Sequence, residues 1–432
     1  LYDALELKNP RSKISGSTEL EVRATEHFFL DMGKMNEPLL EWIKEGKDHW
    51  RPNVINFTRG QLELRELHGR AITRDLDWGI PVPVEGWHGK CIYVWFEAVI
   101  GYLSAAIEWG KVHGQPEAWR DWWTNTSAKS YYFIGKDNIF FHAAQWPAQL
   151  KGAGKEFDQI FSGGEGAPLN LPYDVPANQF MNLEGQKISG SRNWAVGGLD
   201  FLTRYDADAL RYYLTINMPE LRDSDWDWKE FVARNNNELV ATWGNLANRV
   251  LSFGYKHWEG VVPDPGELRP EDQAILDTVN AGFQSVGELL EVVKLRAALT
   301  EALRLASEVN KYLDTNAPWF EIKTDKAAAG RTVYTALRTI DSLKTLFSPF
   351  IPFSSQRLHG FFGYPQPLFG EQYVADVSDA LGVHSTLRYR AGQASGKWEP
   401  SQLKAGQKLQ QPGPLFKKLD DEIVEQELAR LG

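Results

Sequence analysis

The sequence predicts an α/β portion up to about residue 180, followed by an all-α portion. Between residues 91 and 180, short apolar runs typical of buried strands alternate with helical stretches. After residue 198, apolar residues recur at helical spacing, as they do throughout the stretch 228–251. The length of 432 residues, with 43% hydrophobic and 24% charged residues, is enough for two to four folded domains.

In the α/β portion, the predicted strands are CIYVWFE, SYYFIG, DQIFSGG and ANQFMNLEG, and the predicted helices are AVIGYLSAAIEWG and DNIFFHAAQWPAQL. Strands that alternate with helices predict a parallel, doubly wound sheet, whose ligands bind at the C-terminal ends of its strands. Residues 1–90 are predicted to form a peripheral strand-and-helix module. Further helices are predicted over 270–313, 325–348 and 419–431, after a turn at 262–270.

Composition excludes several classes of protein. The single cysteine, Cys91, excludes a disulfide framework or a cysteine-rich zinc knuckle within these residues, and it favours a cytoplasmic location. The sequence contains no run of about 20 apolar residues, the length that a membrane-spanning helix requires. The net charge of −10 argues against general coating of nucleic acid but permits RNA recognition by a local patch.

The string KISGSR at 187–192 suits the binding of a polyphosphate. Its lysine supplies positive charge, and its hydroxyls and backbone N–H groups supply hydrogen-bond donors. A mobile basic loop of this kind can stabilise the charge that builds on pyrophosphate when an adenylate forms. Taken alone, however, the string is more typical of an ordinary surface turn.

Two further segments place polar and aromatic side chains where strands give way to helices. Asp137 follows the SYYFIG strand and can pair with an ammonium group, but it fits a helix N-cap equally well. His142, five residues later, can face the same cavity or lie in the core. Trp95 and Tyr102 flank a strand-to-helix turn and can line an apolar side-chain pocket, although core packing is the alternative.

These segments occur together and in order, and with them the chain resembles the methionyl-tRNA synthetase family of class I synthetases over essentially its whole length. KISGS resembles the KMSKS signature, FIGKDNIFFHAAQWPA the family's block ending in WPA, and VWFEAVIGYLSA its WFDAPIGY-type block. Residues 8–32 resemble the end of the connective module. NLANRVLSFG and NKYLDTNAPW resemble the two anticodon-reading segments.

The resemblance implies a domain order. Residues 1–90 would be the end of the connective-peptide module, and 91–180 the second half of a Rossmann-like catalytic domain. Residues 181–232 would hold the KMSKS loop and contact the acceptor stem, and 233–432 would form a helical-bundle anticodon-binding domain.

The implied activity is ATP-dependent conversion of methionine to methionyl-adenylate, followed by transfer to the 3′ end of methionine tRNA, including initiator tRNA. The implied partners are methionine, ATP with Mg²⁺, and the anticodon and acceptor stem of the tRNA. Zinc is expected only upstream of these residues, and no metal ligand is assigned within them. We expect a monomer in the cytoplasm that makes no membrane contact.

The resemblance also implies residue roles. Asp137 would bind the α-ammonium of methionine, and Arg74 would assist its activation. The remaining methionine-binding residues would be Trp95, Tyr102, Asn138 and His142. The ATP-binding residues would be Lys187, Ile188, Ser189, Gly190 and Ser191, of which Lys187, Ser189 and Ser191 would act in catalysis together with Arg192.

The anticodon-binding residues would be Asn245, Arg249, Pro318 and Trp319, with Trp319 as a stacking platform for a base. Asn245 and Arg249 lie four residues apart and so share one helix face. Without the surrounding resemblance, a solvated helix face would be the preferred interpretation of this pair.

The chain departs from the family pattern at four residues and in the absence of one motif. Gly190 replaces the second lysine of KMSKS, and Arg192 is the candidate substitute for the lost charge. Val99 replaces a proline, and Asn138 and Gln145 occupy positions where many relatives carry apolar residues. The H-x-G-H motif of class I synthetases is absent, which predicts that it lies upstream. We therefore expect these residues alone not to form adenylate.

Three rival functions are weighed against this resemblance. Synthetases for leucine, valine or isoleucine carry an editing insertion for which 91–187 has no room, and the cysteine enzyme needs more than one cysteine. A non-catalytic tRNA-binding paralogue remains the main alternative, because both Gly190 and the missing motif permit it. A small-molecule nucleotidyltransferase would have no use for about 200 residues of helical bundle.

Overall fold

The computed structural model describes residues 9–11, 17–21, 24–64, 69–162, 165–379 and 382–432. The chain divides into two compact units, residues 1–177 and 178–432, each with its own apolar core. This division falls close to the predicted boundary at 180, whereas the finer division into four parts remains a prediction. Across the described residues, none of the helices has the length and apolar character needed to cross a membrane.

The first unit is built from short helices and very short strands. The helices are α1 (Asn36–Lys44), α2 (Pro52–Glu63), α3 (Val94–Glu97), α4 (Gly101–Val112), α5 (Arg120–Trp123), α6 (Trp146–Ala153) and α7 (Glu156–Ser162). The strands are β1 (Phe29–Leu30), β2 (Arg70–Ala71), β3 (Thr73–Asp75), β4 (Lys90–Ile92), β5 (Ile134–Gly135) and β6 (Ala177–Asn178). β1 pairs with β2 and β3 with β4, both antiparallel.

Helix α2 shows how the sequence specifies these elements. Pro52 stands at its first turn, where its fixed φ is suitable and its missing N–H costs nothing. Val54, Thr58 and Leu62 follow at intervals of four, so all three face the core and are buried.

One predicted strand is shorter than expected, and another is wrong. In CIYVWFE, the strand ends at Ile92 and α3 begins at Val94, because the chain turns at Tyr93, whose carbonyl accepts from the Phe96 N–H at 2.8 Å. DQIFSGG is helical through Ser162, in α7. Glu156 and Asp158 lie in the first turn of that helix, where acidic side chains stabilise the helix dipole.

In the second unit, the strands are β7 (Met181–Leu183), β8 (Ser224–Trp226), β9 (Glu371–Asp379) and β10 (Gly382–Arg390). The helices are α8 (Gly198–Arg204), α9 (Ala207–Ile216), α10 (Trp228–Arg234), α11 (Asn245–His257), α12 (Pro270–Glu291), α13 (Leu295–Asn316), α14 (Pro318–Glu321), α15 (Lys326–Phe347), α16 (Pro352–Phe361) and α17 (Glu422–Leu428), with a π-helical stretch at Asn235–Gly244. This confirms that the chain beyond residue 198 is mainly helical.

The long helices α12, α13 and α15 pack against one another and form the centre of this unit. On α13, the buried positions recur every three or four residues from Ala298 to Leu313, as the helical period requires. α15 is buried on most of its surface. The predicted helical run 270–313 is divided between α12 and α13 because Val293 adopts a left-handed conformation, with φ of 56°.

The strands of the second unit depart from the prediction. β7 and β8 form a parallel pair, but each sheet within the described residues has two strands, so a wide doubly wound sheet is not formed there. β9 and β10 form an antiparallel hairpin within 233–432, the part of the chain expected to be a helical bundle, although no helix was predicted at the hairpin itself. Its side chains alternate between half-buried and exposed, a period of two that marks a strand. Helix α17 is shorter than the predicted 419–431.

Candidate functional site

In the first unit, a hydrogen bond joins Tyr102 and His142, two of the residues predicted to form the methionine pocket. His142 Nδ1 is 3.0 Å from the Asn138 carbonyl oxygen, and its Nε2 is 2.8 Å from the Tyr102 hydroxyl. A carbonyl only accepts, so Nδ1 carries the proton and Tyr102 donates to Nε2. Burial lowers the pKa of His142, which favours this neutral form, and raises the pKa of Tyr102.

Trp95 is partly exposed to solvent, and a hydrogen bond to its carbonyl holds its backbone in place. The residue is 44% exposed, and its ring stacks on Phe141, with centroids 4.9 Å apart. The buried Gln145 side chain donates from Nε2 to the Trp95 carbonyl at 2.7 Å, and Gln149 donates to the Phe96 carbonyl at 2.9 Å. The sequence predicted Trp95 but missed this anchoring by glutamines, although two glutamines four residues apart in an otherwise apolar helix are a visible signal.

Asp137 lies in a short 3₁₀ turn, Lys136–Asn138, and is exposed. The N-cap of that turn is Gly135, so the alternative interpretation of Asp137 as a helix N-cap is wrong. Its neighbour Asn138 contributes the backbone carbonyl that orients His142. The exposed carboxylate is therefore available to a cationic group.

Arg74 is tied to its own strand. Its Nη1 donates to the carbonyls of Ala71 and Thr73 at 2.9 and 2.8 Å, and its guanidinium lies 3.9 Å from the centroid of the Tyr93 ring. These contacts engage Arg74 on β3 rather than with Tyr102 or His142. Its role in methionine activation remains a prediction.

In the second unit, the shape of the KISGSR loop (Lys187–Arg192) is held mainly by hydrogen bonds to backbone groups. Ser189 and Trp194 exchange both of their backbone hydrogen bonds, at 2.8 and 2.9 Å, and Arg192 Nη2 donates to the Lys187 carbonyl at 3.0 Å. Ser189 and Ser191 are joined through their hydroxyls at 3.2 Å. The side chains of Lys187, Ser191 and Arg192 remain exposed, so the loop offers two cations and hydroxyls to an anion.

Ile188 and Gly190 complete this loop, and both are exposed. A side chain at Gly190 would meet no atom within 4 Å, so no steric reason requires glycine there. In the described residues, no three His, Cys, Asp or Glu side chains come together to hold a metal ion.

The candidate tRNA interface lies on α11 and α14. The Arg249 guanidinium lies 4.4 Å from the Trp319 ring centroid and 3.9 Å from the Asp314 carboxylate. Pro318 is buried and starts α14, and the exposed Asn245 lies one turn from Arg249 on α11. The structure thus brings Arg249 and Trp319 into contact, as an interface for an unstacked base requires.

Comparison with known proteins shows which family the chain resembles. Residues 1–251 match the family described as tRNA synthetases class I (M), and residues 262–388 match the anticodon binding domain of methionyl tRNA ligase. The chain is 51% identical over 431 residues to the methionine–tRNA ligase of Thermomicrobium roseum, covering 99% of this chain and 71% of that protein. It is also 51% identical over 436 residues to the Chloroflexus aurantiacus methionine–tRNA ligase, covering 99% and 72%.

Solved structures agree with this likeness. Mycobacterium tuberculosis methionyl-tRNA synthetase in complex with methionyl-adenylate is 25% identical, with a TM-score of 0.72 over 90% of this chain and 68% of that one. The apo form of the same enzyme has a TM-score of 0.69 at 25% identity, over 91% and 69%. These matches confirm the predicted class I catalytic fold followed by a helical anticodon-binding domain. The chain belongs to the methionyl-tRNA synthetases of class I.

Proposed function

We propose that the complete gene product containing this chain acts as a methionine–tRNA ligase, which activates methionine with ATP and transfers it to the 3′ end of methionine tRNA, including initiator tRNA. The observation that carries the proposal is the likeness to methionine–tRNA ligases along nearly the whole chain. The geometry of the first unit supports recognition of methionine, and that of the second supports the activation step and selection of the tRNA.

The pocket in the first unit supports recognition of methionine. The half-exposed rings of Trp95 and Tyr102 suit a thioether, which is polarisable and makes favourable contacts with aromatic rings. His142 is neutral and its one N–H is already donated to a backbone carbonyl, so it adds shape without adding charge. The exposed carboxylate of Asp137 suits the α-ammonium group.

The KISGSR loop supports the activation step. The methionine carboxylate attacks the α-phosphorus of ATP, a new O–P bond forms, and pyrophosphate leaves with the electron pair of the bond that breaks. Lys187 and Arg192, with the hydroxyls of Ser189 and Ser191, suit the charge that accumulates on pyrophosphate. Mg²⁺ enters as the counter-ion of the ATP phosphates.

The interface on α11 and α14 supports selection of the tRNA. A base released from the anticodon stack can rest on the Trp319 ring, and Arg249 adds positive charge at the same place. In the second step, the 3′-terminal ribose hydroxyl attacks the acyl carbon and AMP leaves. The location in the cytoplasm and the monomeric state remain our expectations.

The test is aminoacylation by the complete gene product that contains this chain. We expect methionine tRNA to be charged with labelled methionine, and not with leucine, isoleucine or valine. A transcript with an altered anticodon should be charged poorly. Binding of methionine tRNA without any charging would instead identify the non-catalytic paralogue, which the glycine at position 190 permits.

A further inference from the structure

The segment 417–432 lies along the second unit, and its last residue contacts Asn193, which follows the KISGSR loop. It starts at the π-helical stretch, where Asn235 Nδ2 donates to the Lys417 carbonyl at 3.0 Å. Asn236 donates to the Leu419 carbonyl at 2.8 Å and accepts from the Leu419 N–H at 2.9 Å. Helix α17 then packs against α10, with Ile423 turned towards the core.

Glu427 is the strongest anchor of this segment. Its side chain is only 3% exposed, and Arg204 grips both carboxylate oxygens, from Nε at 2.7 Å and from Nη2 at 2.9 Å. The Tyr205 hydroxyl donates to the same carboxylate at 2.8 Å. A bidentate guanidinium–carboxylate pair fixes direction as well as distance. Glu427 therefore holds the end of α8, the helix that follows the KISGSR loop.

A second contact holds the other end of residues 193–205, the stretch that joins the KISGSR loop to Tyr205. Asn193, the residue directly after the loop, has a left-handed backbone with φ of 52°. Its side-chain amide donates to the Gly432 carbonyl at 3.2 Å, and the Gly432 N–H donates back to the Asn193 carbonyl at 3.2 Å. Residues 193–205 are thus held at both ends, while the side chains of Lys187 and Ser191 remain exposed.

We propose that Glu427 is a positioning residue for the KISGSR loop: through Arg204 and Tyr205 it fixes the base from which Lys187 closes on the phosphates. The catalytic part of this inference rests on the proposed function. A loop that closes on a leaving group needs a fixed pivot, because a misplacement of about 1 Å can cost up to about a hundredfold in rate. Glu427 touches no reacting group, so its effect acts through the loop.

Glu427→Gln tests this role, because glutamine keeps the size of the side chain but cannot accept both guanidinium bonds. In the complete gene product, we expect kcat for ATP–pyrophosphate exchange to fall about tenfold, with KM for methionine unchanged within about twofold. Glu425→Gln, an exposed change on the same helix, is the matched control. Arg204→Gln, alone and combined with Glu427→Gln, should give the same loss as Glu427→Gln and not a larger one.

Limited trypsinolysis gives a readout that needs no catalysis, because trypsin cleaves after Lys187 and Arg192. We expect cleavage at these two sites to accelerate about fivefold in Glu427→Gln and to stay unchanged in Glu425→Gln. Faster cleavage with no charging even in the unsubstituted protein would support the positioning of the loop and refute the proposed function. Unchanged cleavage and unchanged kcat, or faster cleavage throughout the chain, would overturn the role of Glu427.

Discussion

The pocket around His142 and the KISGSR loop are built in opposite ways. In the pocket, Tyr102 and Trp95 are held by partners that are themselves buried, His142 and Gln145. In the loop, the hydrogen bonds join backbone to backbone or loop residue to loop residue, and the charged side chains are exposed. The difference separates two tasks. Selection of a small apolar side chain requires a shape fixed in advance, whereas stabilisation of a departing anion requires charges that can move towards it.

The largest effect should come from Asp137→Ala, which removes the only charge assigned to substrate recognition in the pocket. We expect kcat/KM for methionine to fall about a thousandfold, because the α-ammonium of methionine would lose the carboxylate that pairs with it. Steady-state ATP–pyrophosphate exchange at varied methionine measures this loss. Asp121→Ala, an exposed carboxylate of α5, should leave kcat/KM within about twofold. A loss below about tenfold in Asp137→Ala would contradict the assigned role.

Lys187→Met should distinguish the role of the loop in the chemical step from the role of the pocket in methionine binding. We expect kcat for pyrophosphate exchange to fall about a hundredfold, the usual cost of losing one charge-stabilising donor in a transition state. KM for methionine should stay within about twofold, because the pocket keeps its shape. Lys229→Met, at an exposed position of α10, is the control. A rise in KM for methionine equal to the loss in kcat would show that the loop and the pocket do not divide the work in this way.

The long helices α12, α13 and α15 could be predicted from the sequence because their apolar residues follow a single period. The hairpin of β9 and β10 was not predicted, because it lies between the predicted helices 325–348 and 419–431, in a stretch to which no element was assigned. Trp95, Tyr102 and His142 could be named from the resemblance, but their hydrogen bonds could not. The tautomer of His142 depends on the Asn138 carbonyl, which its position in a π-helical turn brings within reach.

The pairing of Glu427 with Arg204 could not be predicted from any local sequence pattern. Its partner Arg204 is 223 residues away in the chain, and each residue alone resembles an ordinary solvent-exposed charge. Burial of the Glu427 carboxylate is what distinguishes the pair, and burial is a property of the folded unit. Contacts of this kind need the tertiary structure, whereas a loop motif such as KISGSR can be identified from its letters.

Trp319→Ala extends the comparison to the tRNA interface. We expect KM for methionine tRNA to rise about twentyfold, because stacking of one base on an aromatic ring contributes about 1–3 kcal/mol. Pyrophosphate exchange without tRNA should not change. Aminoacylation at varied tRNA concentration measures the effect, and Phe353→Ala, an exposed aromatic residue of α16, is the control. An unchanged KM for the tRNA would remove Trp319 from the interface.

Gln145→Leu tests whether the pocket depends on its anchors. The change removes the hydrogen bond that Gln145 donates to the Trp95 carbonyl, which contributes about 0.5–1.5 kcal/mol, and frees the Trp95 backbone to shift. We expect KM for methionine to rise about fivefold with kcat nearly unchanged, the opposite of the pattern for Lys187→Met. The exposed Gln115→Leu is the control. A fall in kcat at constant KM would show that the anchor serves the chemical step instead.

Gly190→Lys should give the smallest change, and it should be a gain. The position has open space around a side chain and no positive φ, so a lysine fits without strain. It would add a second ammonium beside Lys187 and restore the charge count of KMSKS. We expect kcat for pyrophosphate exchange to rise about threefold, a modest gain because Arg192 already supplies positive charge at the loop. Gly190→Met controls for the added side chain without its charge. If Gly190→Lys lowers kcat while Gly190→Met does not, the loop of this chain is tuned to carry a single lysine, and Arg192 completes its charge.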